Sequence, residues 1–124
     1  MSEWTALVVE DEPDGQLVVA GILELFNVAT DAVGTAEDAL RALAEHQYQV
    51  AIIDLALPGM DGLELVRTIR QNPATANLPC VAITAYHTSS VKQQAIDSGF
   101  NAYFAKPIDD TIFVRELNRI VAGQ

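Results

Sequence analysis

Five short apolar runs divide this chain, and four of them stop abruptly on a charged or hydroxyl residue. Thr5–Val9 runs into Glu10-Asp11-Glu12, Val50–Ile53 into Asp54, Cys80–Ile83 into Thr84, and Ala102–Ala105 into Lys106-Pro107. The remaining run, Asn27–Val33, is a weaker strand candidate. Short runs rich in β-branched residues with sharp ends read as buried strands. Each is followed by a segment of helical spacing. Pro13 can open a helix carrying Val18, Ile22 and Leu25. Thr35, with Asp38 three residues on, caps a helix whose inner face is Leu40, Leu43 and several alanines. Pro58-Gly59 is loop chemistry, after which Leu63, Val66 and Ile69 share one helical face that stops near Asn72-Pro73. Ser89 or Ser90 starts a helix through Val91 and Ala95 with Gly99 as its stop, and Asp109 caps a last helix carrying Phe113, Leu117 and Ile120. Strict β-α alternation with near-continuous apolar strands predicts an α/β fold: a doubly wound, five-stranded parallel sheet with helices on both faces. Its crossovers are right-handed.

Parallel strands all finish on one side of a sheet, and that is where such sheets bind ligands. The polar strand ends therefore converge. Glu10, Asp11, Asp54, Thr84 and Lys106 are far apart in sequence but should share one crevice. Two carboxylates about 4 Å apart repel by roughly 4 kcal/mol at an effective dielectric of about 20. A cation must offset that, and an all-oxygen donor set with room for water points to Mg2+. No Cys or His belongs to the cluster, which argues against zinc. A carboxylate beside such an ion can attack phosphorus, with Lys106 neutralising the transferring oxygens and the Thr84 hydroxyl donating to one of them. Capping explains any one of these residues alone; it does not explain five at the ends of four strands.

Composition narrows the function further. The 124 residues are half hydrophobic and carry a net charge of -10, which suits one compact domain over 1–124 and disfavours nucleic acid and anionic membrane surfaces. Cys80 is the lone cysteine, so there is no intrachain disulfide, and it reads as a small core residue. No apolar run is long enough to cross a bilayer and the N-terminus does not read as a signal peptide, so the expected location is the cytoplasm. His46 and His87 read as surface residues, and Trp4 as packing locally.

Four stretches in this order carry a family resemblance: Leu7-Val8-Val9-Glu10-Asp11-Glu12, Ile52 through Gly62, Ile83-Thr84-Ala85, and Lys106-Pro107. From Ala6 to Val121 the chain resembles the receiver domains of two-component response regulators. The resemblance implies a flavodoxin-like sheet in the order 2-1-3-4-5. It implies that Asp54 is the phosphoacceptor, that Asp11 and Asp54 ligate Mg2+ directly, that the backbone carbonyl of Ala56 is a further ligand, and that Glu10 acts through a metal-bound water. Lys106 would pair with Asp54 or its phosphoryl group, Thr84 would move toward that group, and Tyr103 would swing inward as the switch. The Lys106-Pro107 bond would be cis.

The implied phosphodonor is a sensor histidine kinase or phosphotransfer protein. The implied output surface is the fourth helix, fifth strand and fifth helix, engaging a downstream protein or a second copy. Such a domain is a phosphoacceptor switch that catalyses only its own phosphorylation and dephosphorylation, not a turnover enzyme. Ala56 and Tyr86 stand where this family tunes water access to the phosphoryl group, and Glu10 stands where many members carry Asp. Met1 and the short C-terminus point to a stand-alone regulator. A flavin protein would need a Ser/Thr/Gly-rich first turn in place of Glu10-Asp11-Glu12, and an aspartate-nucleophile phosphatase would need an acid in place of Ala56.

Overall fold

The computed structural model describes residues 4–86 and 88–122; the expectation for His87 and the ends of the expected 1–124 domain lie outside them. Elements follow in strict alternation: β1 (Thr5–Val9), α1 (Pro13–Glu24), β2 (Ala29–Val33), α2 (Ala36–Glu45), β3 (Val50–Asp54), α3 (Gly62–Gln71), β4 (Cys80–Thr84), α4 (Ser89–Ser98), β5 (Ala102–Ala105) and α5 (Asp110–Ala122). All strand pairs are parallel and the order is β2-β1-β3-β4-β5, as expected.

Successive strand residues point to opposite faces, so each central strand feeds two cores. Leu7, Val9, Ala51, Ile53, Cys80 and Ala82 pack beneath residues of α2, α3 and α4. Ala6, Val8, Val50, Ile52, Val81 and Ile83 pack beneath residues of α1 and α5. Every residue of β3 and β4 is buried, which is why those runs are apolar without alternation. Phe113 anchors the second core, fully buried and edge-on to Phe104 with ring centroids 5.1 Å apart. Cys80 is fully buried, and Trp4 packs at the margin of the same core as Phe113.

Two local expectations change and one gains its cap. The inner face of α1 is Val19 and Leu23, whereas Val18 is 56% and Leu25 74% exposed; Ile22 does reach the core. The segment from Leu17 to Leu23 is apolar nearly all round, so spacing alone cannot select the buried stripe. Second, α4 begins at Ser89, as the sequence allows, and its cap is Thr88, whose hydroxyl accepts from the Val91 N–H at 3.1 Å. Thr88, Ser89 and Ser90 are all good caps by residue type, so the sequence alone does not choose among them. Third, β2 begins at Ala29 rather than Asn27, because Asn27 turns the chain out of α1 with φ 63°. The caps at Thr35 and Asp109 form as expected. Asp38 does not complete a capping box; its carboxylate pairs with Arg41 at 2.7 Å.

Edge strand β2 is tied to the α2–β3 connection by Tyr48, whose hydroxyl donates to Asp31 at 2.7 Å. Burial, then the bond and the charge of Asp31, push the Tyr48 hydroxyl up to about 12. Tyr48→Phe should cost about 1 kcal/mol, the worth of one hydrogen bond, in denaturant unfolding at neutral pH. A phenol raised on folding adds stability below its ordinary value of 10.0, and this is lost as pH climbs toward about 12. The gap between the two proteins should therefore close above pH 10.0.

Candidate phosphoacceptor site

β1 and β3 are neighbours with Val9 paired to Ile53, so Glu10 and Asp54 leave the sheet side by side. Thr84 pairs with Ala105, which sets Lys106 at the same edge. The side chains meet there. Lys106 Nζ donates to Asp54 Oδ2 at 2.7 Å and to Glu10 Oε2 at 2.8 Å. The other oxygen of Asp54, Oδ1, accepts from the Ala56 N–H at 2.8 Å. Among the described residues, Glu10, Asp54 and Thr84 are the buried polar ones, at 0%, 4% and 1% exposure. The Lys106–Pro107 bond is cis.

The backbone around these groups is held tightly. The Glu10 N–H donates to Val33 O at 3.0 Å, and the Glu10 carbonyl accepts from Gln16 Nε2 at 2.7 Å. The Lys106 N–H donates to Thr84 O at 2.9 Å. The start of α3 lies directly on the end of β3: a Cβ on Gly62 would sit 2.7 Å from the Asp54 carbonyl oxygen and 2.8 Å from Leu55 Cα. Only glycine allows that approach.

Burial is the largest influence on the Glu10 carboxyl and raises it; the bond from Lys106 opposes this and neighbouring Asp54 adds to it. Burial would pull the Lys106 ammonium down, but its bonds to Asp54 and Glu10 prevail and hold it above the ordinary lysine value. Lys106 is thus a committed cation between two carboxylates.

After buried Glu10, Asp11 and Glu12 are exposed, and the three can each offer an oxygen with all three atoms within 4.8 Å of one another. One ammonium facing four carboxylates leaves the crevice strongly negative. The donors are all carboxylate oxygens, which fits a hard divalent cation such as Mg2+ and not a thiolate- or imidazole-seeking metal. The structure therefore brings Glu10, Asp54, Thr84 and Lys106 together, with Asp11 at the rim. It also adds Glu12, which the reading of strand ends quoted without assigning a role. Lys106, not a shared ligand position, links Asp54 to the acidic trio.

At the β4 end, Thr84 Oγ1 accepts from the Tyr86 N–H at 3.0 Å, so its hydroxyl hydrogen remains a donor. Tyr103 is half-buried, and its hydroxyl donates to the Tyr86 carbonyl at 3.2 Å. The β4–α4 connection is thereby tied to β5 next to the site. Tyr86 itself is 71% exposed. His46 is exposed, outside the crevice. A groove of about 770 Å³, lined by Tyr48, Pro73, Pro79 and neighbours, opens at the other edge of the sheet, before β3 and β4 begin. Glu10, Asp11, Glu12, Asp54, Thr84 and Lys106 do not line it.

Comparison with known proteins agrees with this geometry. A sequence profile of the response regulator receiver domain matches residues 6–118. An uncharacterised 14.6 kDa protein of Leptolyngbya boryana is 34% identical over 115 residues, covering 93% of this chain and 88% of that protein. Response regulator ArlR of Staphylococcus aureus is 35% identical over 95% of this chain, and sensor protein GacS of Pseudomonas syringae 32% identical over 93%. The chain spans 52% of ArlR and 13% of GacS. Among solved structures, the receiver domain of sensor histidine kinase PA1611 from Pseudomonas aeruginosa, with magnesium coordinated in its active-site cleft, superposes with a TM-score of 0.88 at 28% identity, covering 96% of this chain and 98% of that one. The receiver domain of a signal transduction histidine kinase from Syntrophus aciditrophicus superposes with a TM-score of 0.89 at 25% identity, covering 97% and 91%. A five-stranded 2-1-3-4-5 sheet with a buried aspartate clasped by lysine at its carboxyl edge, over residues that match the family from β1 into α5, makes this chain a member of the response regulator receiver domain family of two-component signalling.

Proposed function

We propose that Asp54 accepts a phosphoryl group from a phosphohistidine of a sensor kinase or phosphotransfer protein, or from a small acyl phosphate. The observation that carries this is the Asp54 carboxylate, buried at the sheet edge and held by Lys106, which also bonds Glu10, the first of the three carboxylates Glu10, Asp11 and Glu12. An Asp54 carboxylate oxygen forms the new bond to phosphorus. The bond from phosphorus to the donor's nitrogen or acyl oxygen breaks, and its electron pair leaves with the donor. Asp11 and Asp54, the Ala56 carbonyl and, through water, Glu10 would hold Mg2+, with Glu12 within reach of Glu10 and Asp11; the ion supplies charge neutralisation on the phosphoryl oxygens. Lys106 neutralises a further oxygen and the Thr84 hydroxyl donates to another.

Thr84 and Tyr103 both bond to Tyr86, so a shift of Thr84 toward the phosphoryl group would pull on the connection that leads into α4. Phosphorylation then shifts a population between two arrangements of α4, β5 and α5, the face read by a downstream protein or a second copy. The domain is a switch rather than a turnover enzyme, since Ala56 provides no acid for repeated leaving-group protonation. It would act in the cytoplasm without contacting nucleic acid; among the described residues no helix is long and apolar enough to cross a membrane.

The test is incubation with magnesium and acetyl phosphate, read by intact mass. A gain of one phosphoryl group that is lost on chelating the metal supports this function; no gain under any donor overturns it. A related expectation concerns lifetime. Tyr86 is exposed and its N–H donates to Thr84 Oγ1, so its ring would stand near the phosphoryl group and limit the access of water. Tyr86→Ala should hasten hydrolysis of the aspartyl phosphate several-fold, followed as decay of the phosphorylated mass, and an unchanged rate would remove Tyr86 from that role.

A further inference from the structure

Glu10 is the longer of the two acidic side chains that could stand at the end of β1, and the chain has made room for it. A Cβ placed on Gly15 would lie 2.7 Å from Glu10 Cδ, 2.8 Å from Oε2 and 2.9 Å from Cγ. No real Cβ contact is that short, and the atoms it would meet belong to a fully buried side chain, which would have to turn to make room. Gly15 sits in the first turn of α1, where neither a turn nor a positive φ asks for glycine. The next residue, Gln16, donates to the Glu10 carbonyl at 2.7 Å and fixes the backbone from which the side chain departs. The extended Glu10 then reaches Lys106, and its Oε2 is 2.8 Å from Nζ.

We propose that Glu10 and Gly15 are a matched pair of positioning residues that hold Lys106 independently of Asp54. The need for this arises in the reaction itself. The Asp54 carboxylate is the group to be esterified, so a lysine anchored only there would have to pass from Asp54 to the phosphoryl oxygens, with nothing fixing it in between, as the new bond forms. Glu10 keeps its carboxylate throughout and lies on the second side of Nζ. Glycine at position 15 is what admits the extra methylene of glutamate; any side chain there would turn Glu10 away from the lysine.

The purpose assigned here rests on Asp54 being the phosphoacceptor, but the contact can be tested without phosphoryl transfer. The chain contains two lysines, Lys92 and Lys106, and Lys92 is exposed on α4. In the full chain labelled with 15N-lysine, an immobilised Lys106 ammonium gives a side-chain NMR signal distinct from that of Lys92. The signal should survive Asp54→Ala, because Glu10 still holds the lysine. It should vanish when Asp54→Ala is combined with Glu10→Gln, which keeps the size of the side chain and removes its charge, or with Gly15→Ala. Gly15→Ala alone should also lower the melting temperature.

Adding Glu10→Asp to Gly15→Ala should recover the melting temperature, since the shorter acid fits beside alanine. It should not recover phosphoryl uptake from acetyl phosphate, which stays reduced by about tenfold or more because a misplacement near 1 Å is felt on that scale. A purely structural role for Gly15 would restore both together. Loss of the Lys106 signal in Asp54→Ala alone, or its survival in Asp54→Ala with Glu10→Gln, would overturn the pairing. If the unsubstituted chain gains no phosphoryl mass while the lysine signals behave as expected, the pairing stands and the phosphoacceptor reading falls.

Discussion

Asp54→Asn should take up no phosphoryl group from acetyl phosphate or a phosphorylated donor, where the unsubstituted chain gains one. An amide oxygen is a poor nucleophile and carries no charge to bring to the metal. The substitution is otherwise mild. The amide oxygen can still accept from the Ala56 N–H, as Oδ1 does at 2.8 Å. Its NH2 group, however, would face the Lys106 ammonium where Oδ2 now accepts at 2.7 Å, so that bond is lost. Lys106 keeps Glu10 as a partner, which leaves the variant folded and its circular dichroism unchanged. Intact mass after incubation with magnesium and donor decides the matter. A full phosphoryl gain in the variant would place the acceptor elsewhere, with Asp11 and Glu12 the first residues to examine.

The second large effect falls on stability. Lys106→Ala removes the one ammonium between Glu10 and Asp54, side chains with 0% and 6% exposure. Removing one partner of a buried ion pair costs about 3–5 kcal/mol, and the lower figure applies because the lysine itself is 28% exposed. Thermal unfolding without added metal should fall by roughly 10 °C. The loss should depend on pH in a defined direction. Burial already raises the Glu10 carboxyl, and only the lysine bond opposes it. A carboxyl raised on folding favours the folded state at low pH, and that benefit fades as pH rises through the folded value. The deficit of the variant should therefore be largest at neutral pH and shrink as pH falls toward the ordinary glutamate value of 4.5. Magnesium should also narrow it, by offsetting the same repulsion. A deficit that neither acid nor magnesium changes would mean that the lysine stem, not its charge, supports the fold.

Both predictions concern residues visible in the sequence as strand ends. Parallel strands buried on both faces must be apolar along their length, so the first polar residue after each run marks where the strand leaves the core. That rule located Glu10, Asp54, Thr84 and Lys106 and put them on one edge. It failed where the environment is less one-sided. On α1 the apolar residues encircle the helix, so the buried stripe of Val19 and Leu23 had no signature of its own. At α4 three hydroxyl residues in a row are equivalent caps by type, and the structure uses Thr88. Strand β2 is exposed along much of its length, and its start shifted to Ala29.

Arg70 shows the limit most clearly. It reads as a basic residue in the last turn of α3, a favourable place on electrostatic grounds alone. In the structure its guanidinium donates to the carbonyls of Gly99, Ala76 and Leu78 and to Asn101 Oδ1. Asn101 in turn accepts from the Cys80 N–H at 2.8 Å. One side chain thus ties the end of α3 to the start of β4 and to the α4–β5 turn. Nothing in the local pattern distinguishes it from Arg67, one turn earlier, which reaches Ser98 instead.

By itself the sequence determined the alternation of elements, the parallel sheet and the edge at which its polar ends gather, because periodicity and burial act on residues close together in the chain. Only the tertiary structure decided that Lys106 bridges Glu10 and Asp54, that Glu12 joins the acidic group, and that Gly15 opens the space Glu10 occupies. Those are contacts between side chains carried by different elements, up to 96 positions apart, and their distances depend on how strands and helices stack rather than on any local preference.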